Sequence, residues 1–415
     1  MTDTQKVNIR HVLLPVFITV FIDMLGSGIP IPVLPSLIIT PETSILSPEV
    51  TPELRKIIFG FLTGSFFLAQ FIGAPILGAI SDRDGRKKVL MLSLGGTVVG
   101  YLLFALGIYL RSIEVLFASR ILAGFMGGNI SVALSIISDV STPENKTRNF
   151  GLIGAAFGMG FIFGPALGGV LSNPEIYSGF SLVTPFLVSA LLTFMNIVLA
   201  NFNIPETIKN RFQRRVNLLT GVQNIRDALR SPVYRVIFAT VFCITFGFTL
   251  FTQFFSVFLT QEFKMSSSGI GVVFSYVGVW AVIAQGAFLR PLSKRFKPVQ
   301  ILSVSLLLLS GLLVLIILPT ESWYLYVIIP FMASAQGMTQ PNVNTIVTNA
   351  ATPEMQGQIL GINQSVQSMA MAIPPMVAGF LSTLDIRFPN YAAAVFMFAG
   401  WAILYFMLRK RKEGG

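Results

Sequence analysis

Cysteine and histidine each occur once in the 415 residues, and charge is scarce throughout. A lone Cys243 excludes an intramolecular disulfide. With His11 as the sole histidine there is no Cys/His cluster to ligate a metal, so no metal site and no cofactor are expected. Charged residues make up 11% of the chain, where a soluble globular protein carries about 25%. A nucleotide-binding fingerprint and an organised set of acid, base and nucleophile are also missing, which argues against an enzyme. Thr2–Arg10 is polar, and the apolar segment behind it is too long for a signal-peptide h-region and has no small-residue cleavage site. No cleavable signal peptide is expected.

What fills the chain instead is apolar sequence. It is 53% hydrophobic, with a mean hydropathy of +0.74. Uncharged runs recur at 57–81, 89–110, 236–261, 265–289, 298–320 and 322–353. About 20 apolar residues in a helix span the roughly 30 Å of bilayer hydrocarbon, and these runs are long enough. Twelve candidate spans follow, centred in 12–38, 57–80, 89–110, 116–138, 150–171, 182–203, 234–258, 267–289, 298–319, 323–348, 356–381 and 390–408. The 36 glycines and 23 prolines do not oppose this reading, because both residues are more frequent in membrane helices than in soluble ones. The expected fold class is an all-α integral membrane protein with twelve transmembrane helices.

The net charge of +11 invites a nucleic-acid reading, but its placement opposes one. With the N-terminus inside, the inner segments hold 23 of the Lys and Arg residues, the outer segments five, and one, Arg120, lies within a span. This is the positive-inside bias. It places both termini in the cytoplasm and makes the lipid bilayer, not nucleic acid, the partner of the basic surplus. The expected location is a plasma membrane, and the chain is expected to be monomeric.

The chain also repeats itself. "TPENKTRNFGLIGAAFGMGFIFGPALGG" at 142–169 aligns without a gap with "TPEMQGQILGINQSVQSMAMAIPPMVAG" at 352–379. Thr142-Pro143-Glu144 matches Thr352-Pro353-Glu354, Gly151 matches Gly361, Pro165 matches Pro375 and Gly169 matches Gly379. Between the copies lies a basic segment that includes "KNRFQRRVNLL". The expected division is an N-terminal six-helix bundle at 1–204, a cytoplasmic linker at 205–231 and a C-terminal six-helix bundle at 232–415. Two bundles related by a repeat suit alternating access, in which one rocks against the other around a central site.

Three stretches carry a family resemblance. They are "GAISDRDGRKK" at 78–88, "RILAGFMGG" at 120–128 and "GFIFGPALGG" at 160–169. In them the chain resembles the major facilitator superfamily over essentially its whole length. It is most similar to the twelve-helix drug/proton antiporter branch that includes the tetracycline exporters. The resemblance implies two pseudo-symmetric six-helix bundles, and bacterial inner-membrane residence. It also implies a conformational motif at Gly78, Asp82, Arg83, Gly85, Arg86 and Lys87, with Asp139 and Arg148 near the inner end of span 4. In the family that motif resembles a latch bridging to the other bundle, with Asp82 as its acidic member. By its position Asp82 is expected to complement the start of the third helix. An antiporter motif is implied at Gly160, Gly164, Pro165, Gly168 and Gly169. Chemical departures accompany the likeness. At the neighbourhoods where tetracycline exporters carry an acid, a histidine and a second acid, this chain has Gly100, Ala281 and Leu308, none of which ionises.

Two charges inside the spans are the candidates for proton coupling. Asp23 is the one acid near the middle of a span, and a carboxylate there must be protonated, paired or open to an aqueous cavity. Arg120 does not readily lose its charge and needs an acid, carbonyls or water. For the substrate cavity the candidates are Phe251, Gln253 and Phe254 of span 7, Trp280 and Gln285 of span 8, and Asn342, Asn344, Gln364 and Gln367 of spans 10 and 11. Phe251, Phe254, Phe255 and Phe258 share one helical face, which fits either an apolar drug site or core packing. The preferred function is secondary active transport, namely proton-coupled efflux of small lipophilic or cationic compounds. The alternatives are uptake or facilitated movement of a metabolite by the same fold, and a non-transporting receptor or scaffold.

Overall fold

The computed structural model describes residues 9–208, 226, 232–350 and 356–413. It is an all-α membrane fold of twelve spans. α1 is Ile9–Gly28 continued by Pro30–Ile38, and α2 is Pro52–Asp84. α3 is Arg86–Tyr109. α4 is Ile113–Met126, carried through a 3₁₀ turn at Gly127–Asn129 into Ile130–Val140. α5 is Pro143–Leu171 and α6 is Thr184–Asn203. α7 is Pro232–Glu262, and α8 is Ser267–Ile283 with a π-turn at Ala284–Leu289 and a last stretch at Arg290–Arg295. α9 is Pro298–Leu315 and α10 is Trp323–Asn349. α11 is Gln356–Ala372 with Pro374–Leu384, and α12 is Phe388–Glu413. The linker expected at 205–231 falls largely outside the described residues.

Local chemistry explains where the spans begin. Thr51, Ser112 and Ser266 accept from backbone N–H groups three residues on, capping α2, α4 and α8. Proline stands in the first helical position of α2, α9 and the second part of α11, where a missing N–H costs nothing. Among the described residues nine helices or helix pairs are long and apolar enough to cross a membrane. α10 falls outside this set because Gln336, Gln340, Asn342 and Asn344 interrupt its apolar run.

Among the described residues the bundles meet most extensively at two helix pairs. α5 packs on α8, and α2 packs on α11. A Cβ on Gly169 would stand 2.9 Å from the Cα of Gly271, and one on Gly60 would stand 2.4 Å from the carbonyl oxygen of Pro375. Ser36 and Ser267 share a hydrogen bond of 2.7 Å between α1 and α8, and Lys56 Nζ donates to the Ser382 carbonyl at 2.9 Å between α2 and α11. Phe59 and Phe254 meet edge to face at 5.2 Å between α2 and α7. All of these contacts lie at the ends of the helices remote from the charged turn at 82–88. Beside them Arg55 is buried and holds the α1–α2 loop by donating to the carbonyls of Ile38, Val50 and Ser47 and to Ser44 Oγ.

Candidate functional site

The interior of the N-terminal bundle holds a small polar cluster in apolar surroundings. Asp23 of α1 is only partly buried as a residue, yet its Oδ2 is enclosed and has no hydrogen-bond partner. Asn129 faces it from the 3₁₀ turn of α4. Both atoms of the Asn129 amide are buried without a partner. That turn is held in place by Gln70, whose Nε2 donates to the Gly127 carbonyl at 3.1 Å. It lies directly on α2, so that a Cβ on Gly128 would reach within 2.5 Å of the Ala74 nitrogen. Arg120 of α4 is 4% exposed and lays its guanidinium over the Phe66 ring, 4.4 Å from the centroid. Its Nε has no partner. A buried arginine over an aromatic face is stabilised by the ring quadrupole but keeps its hydrogen-bonding capacity free. Asp23 and Arg120 therefore belong to one region, although no ion pair joins them among the described residues. Tyr101 of α3 stands with them and interacts with both charges.

A second cluster forms at the charged turn. α2 ends at Asp84, and Gly85 has φ 111°, a conformation that L side chains rarely adopt. Arg86 is buried and pairs with Asp82, with Asp139 of α4 at 3.2 Å, and with Ser81 Oγ at 2.7 Å. Thr207 Oγ1 donates to the same Asp139 oxygen at 3.1 Å. The backbone N–H of Arg86 donates to Glu206 Oε1 at 2.9 Å, and Lys87 Nζ to the Asn201 carbonyl at 2.5 Å. Arg83 turns outward to Asp84 at 2.7 Å, which raises its pKa further above the ordinary arginine value. Gly78 lies beneath Ser131, whose hydroxyl bonds to the Ala74 and Gly128 carbonyls.

This corrects the expected role of Asp82. It sits in the last turn of α2, not at the start of α3, and the carboxylate that caps α3 is Glu206. The reason is the turn at Gly85, which aims the free N–H of Arg86 toward the end of α6, while Asp82 stays within one turn of Arg86. The described contacts of this motif join α2, α3, α4 and the chain after α6. The side chain of Arg148 lies outside the described ones. At the corresponding place in the second half, "RPLSKRFK", the chain stays helical through Arg295 and turns only at Phe296.

The glycines of the third motif let α5 lie against α1. Cβ atoms on Gly160, Gly164 and Gly168 would stand 2.4–2.6 Å from atoms of α1, and Gly28 in turn meets Pro165. Gly169 is the exception, since it faces α8.

The proposed cavity residues lie on α7, α8, α10 and α11. Phe254, Phe255 and Phe258 are almost fully buried, and Phe251 is 2% exposed. A cavity inside the C-terminal bundle is lined by Phe251, Phe255, Phe274, Leu309, Met332 and Gln336 among others, and of the candidates only Phe251 lines it. Gln253 and Asn342 are buried, and Asn342 Nδ2 donates to the Met338 carbonyl of its own helix at 2.6 Å. Asn344 accepts from Gln340, and Gln364 donates to Ser368, each at 3.4 Å within one helix. Trp280 stacks edge-on against Tyr276. Gln285 lies in the π-turn, and it and Gln367 are half-buried.

Comparison with known proteins agrees with this architecture. Residues 16–375 match the family model described as Major Facilitator Superfamily. The chain is 29% identical over 369 residues to "Tetracycline resistance protein, class C" of Escherichia coli, covering 89% of each. It is 27% identical over 391 residues to "Multidrug resistance protein 2" of Bacillus subtilis, covering 93% of this chain and 90% of the relative. Its fold resembles the crystal structure of the human organic anion transporter MFSD10 with a TM-score of 0.72 and 24% identity, over 96% of this chain and 99% of that one. The chain belongs to the major facilitator superfamily. It is a multi-pass membrane protein and a secondary transporter of small molecules by alternating access, not an enzyme.

Proposed function

We propose that this transporter couples movement of a small organic solute to protonation of Asp23. The observation that carries the reading is the enclosed, unpartnered Asp23 Oδ2 on a residue that is itself partly accessible. An acid so placed has reason to take a proton, since the neutral form avoids the cost of an enclosed charge in apolar surroundings. Arg120, free at Nε, responds to the change in charge. Gly78, the 82–88 turn and Asp139 govern the conformational change, and the α5 glycines give α1 and α5 a close interface through it. In this reading the bundles divide at 204 and 232, and the charged turn and both termini face the cytoplasm of a bacterial inner membrane. The contacts remote from that turn then close the outer side. The transporter works as a monomer and takes no nucleic acid.

Efflux of lipophilic or cationic compounds is supported by the likeness to the two resistance proteins. A broader reading, in which the chain moves a metabolite inward or down its gradient, is favoured by the range of relatives, which extends to a transporter of organic anions. The test is substrate-dependent proton movement in proteoliposomes, with lipophilic cations, organic anions and neutral drugs as probes, wild type against Asp23→Asn. Counterflow of protons with a probe, lost in the variant while the probe still binds, supports coupled export at Asp23. Wild-type flux indifferent to a proton gradient establishes the facilitator instead.

A further inference from the structure

Two close approaches, one to the Tyr101 hydroxyl and one to the backbone beside it, bring α1 and α4 to the middle of α3. Tyr101 is 7% exposed, in the middle of α3. A Cβ on Gly26 would stand 1.7 Å from the Tyr101 hydroxyl, so that oxygen lies directly against the α1 backbone. Gly26 is three residues beyond Asp23, on the same helical face. The neighbouring Gly100 touches α4 in the same way, since its Cβ would meet that of Ala123 at 2.8 Å. Ala123 is three residues beyond Arg120. α1 thus lies against the Tyr101 hydroxyl and α4 against the residue beside it, each near the turn that bears its charge, and both charges act on Tyr101.

We propose that Tyr101 is a positioning residue of this site, whose hydroxyl bridges the Asp23 carboxylate and the Arg120 guanidinium and transmits the charge of one to the other. The proposal rests on the reading of Asp23 as the protonated group. A phenol donates one hydrogen bond and accepts others. With Asp23 ionised, the Tyr101 O–H donates to the carboxylate and its oxygen accepts from Arg120. When Asp23 takes a proton from hydronium, water leaves and the carboxyl becomes a weak acceptor. The Tyr101 hydrogen then turns away, and Arg120 loses the oxygen that faced it. Tyr101 neither gains nor loses a proton. No other acid or base complicates the cluster: residues 57–81 of α2, 150–171 of α5 and 184–203 of α6 contain no Asp, Glu, Lys, Arg, His or Tyr. The uncharged Asn129 and Tyr101 act on Asp23, and Arg120 acts on Tyr101 from the other side of the pair.

The test is infrared difference spectroscopy of the full chain in lipid nanodiscs during a pH titration, which needs no substrate. A carboxylic-acid band present in wild type and absent in Asp23→Asn identifies Asp23. In Tyr101→Phe, which keeps the ring and the packing, the half-titration point is expected to move toward alkaline pH by about tenfold in proton concentration, the effect of removing one hydrogen bond to a charged group. Gly26→Ala, which displaces the hydroxyl without deleting it, should shift the point in the same direction. An unchanged midpoint in Tyr101→Phe overturns the proposal, as does the lack of any band that Asp23→Asn removes. The two readings fail separately. A shifted midpoint with flux indifferent to protons sinks the coupling and leaves the bridge, whereas coupled flux with an unshifted midpoint sinks the bridge alone.

Discussion

Gly169 of α5 and Gly271 of α8 face each other with no side chain between them, and a Cβ on either would stand 2.9 Å from the Cα of the other. The repeat partner of Gly169 is Gly379, and it occupies the same kind of place on α11. A Cβ there would meet the Lys56 carbonyl at 3.0 Å and the Cα of Gly60 at 3.5 Å. The internal repeat thus puts equivalent glycines at the two symmetric seams between the bundles. Backbones that meet over small residues gain packing enthalpy in lipid, where no hydrophobic force draws helices together.

Adding bulk at these seams should open them. Gly60→Val sets its Cβ against the Pro375 carbonyl at 2.4 Å, and Gly169→Val against the Ser267 carbonyl at 2.9 Å. Overpacking of this kind costs about 1–3 kcal/mol, enough to change the population of the arrangement by about five- to a hundredfold. A cysteine introduced at Ser267, in a chain whose Cys243 has been replaced, should react faster with a membrane-impermeant maleimide in either valine variant. Equal rates in all three would show that the seam does not hold this arrangement together.

The spans and the repeat were legible because both rest on composition and periodicity, which every residue of a helix reports. Asp23 and Arg120 were legible because a charge in hydrocarbon stands out by itself. Tyr101, Asn129 and Glu206 were not, because their roles depend on which helices meet. Tyr101 reads as one more aromatic in an apolar run, and only the gap at Gly26 shows what its hydroxyl touches. Glu206 reads as a residue after the end of span 6 until the φ of Gly85 turns α3 toward it. The surroundings of the α7 phenylalanines were not legible for a related reason, since a shared helical face does not say whether it meets a cavity or the core; Phe251 and Phe255 line a cavity, while Phe254 and Phe258 are buried.

Lys56 reaches across the second seam. Its ammonium donates to the Ser382 carbonyl, within the last turns of α11, where the helix dipole favours a positive charge. Lys56→Met keeps the stem and removes the charge. Such a bond contributes about 0.5–1.5 kcal/mol, so a labelling rate at position 267 two- to tenfold above wild type is expected. The nearby pair Arg387–Glu262 joins the ends of α7 and α12 within one bundle, and both side chains are about one-third exposed. Glu262→Gln should leave the labelling rate unchanged, which makes it the control for a general effect of altered surface charge.

Gly85 adopts without strain a backbone conformation in which any other residue would be strained. At φ 111° an alanine pays for an unfavourable backbone, and its Cβ would lie 2.3 Å from Glu206 Oε2. A cost of about 1–3 kcal/mol is expected, read as a lower midpoint of thermal unfolding in detergent. Shortening the carboxylate in Glu206→Ala relieves the clash but leaves the N–H of Arg86 without its acceptor. The double variant Gly85→Ala/Glu206→Ala should therefore lose less than the sum of the two single losses. Strict additivity would mean that the two residues do not share one constraint.

Arg86 is the most connected of the turn's charges, and its removal separates two effects. Its side chain is 10% exposed, while those of Asp82 and Asp139 are about one-quarter exposed. Arg86→Ala leaves Asp82 and Asp139 without their shared cation, and breaking a buried pair in this way costs about 3–5 kcal/mol, less where the partners reach water. Arg86→Lys keeps the charge but not the fork that serves Asp82, Asp139 and Ser81 together. If the turn acts through charge alone, lysine restores both stability and transport of a probe. If it acts through geometry, lysine restores stability yet leaves transport depressed, because one ammonium does not hold α2 and α4 at the same spacing. The second outcome is expected here, since the three partners of Arg86 come from two helices, with Asp82 and Ser81 of α2 met by Nη1 and Asp139 of α4 by Nε. Thermal unfolding and probe flux measured on the same preparations of wild type and both variants decide between them.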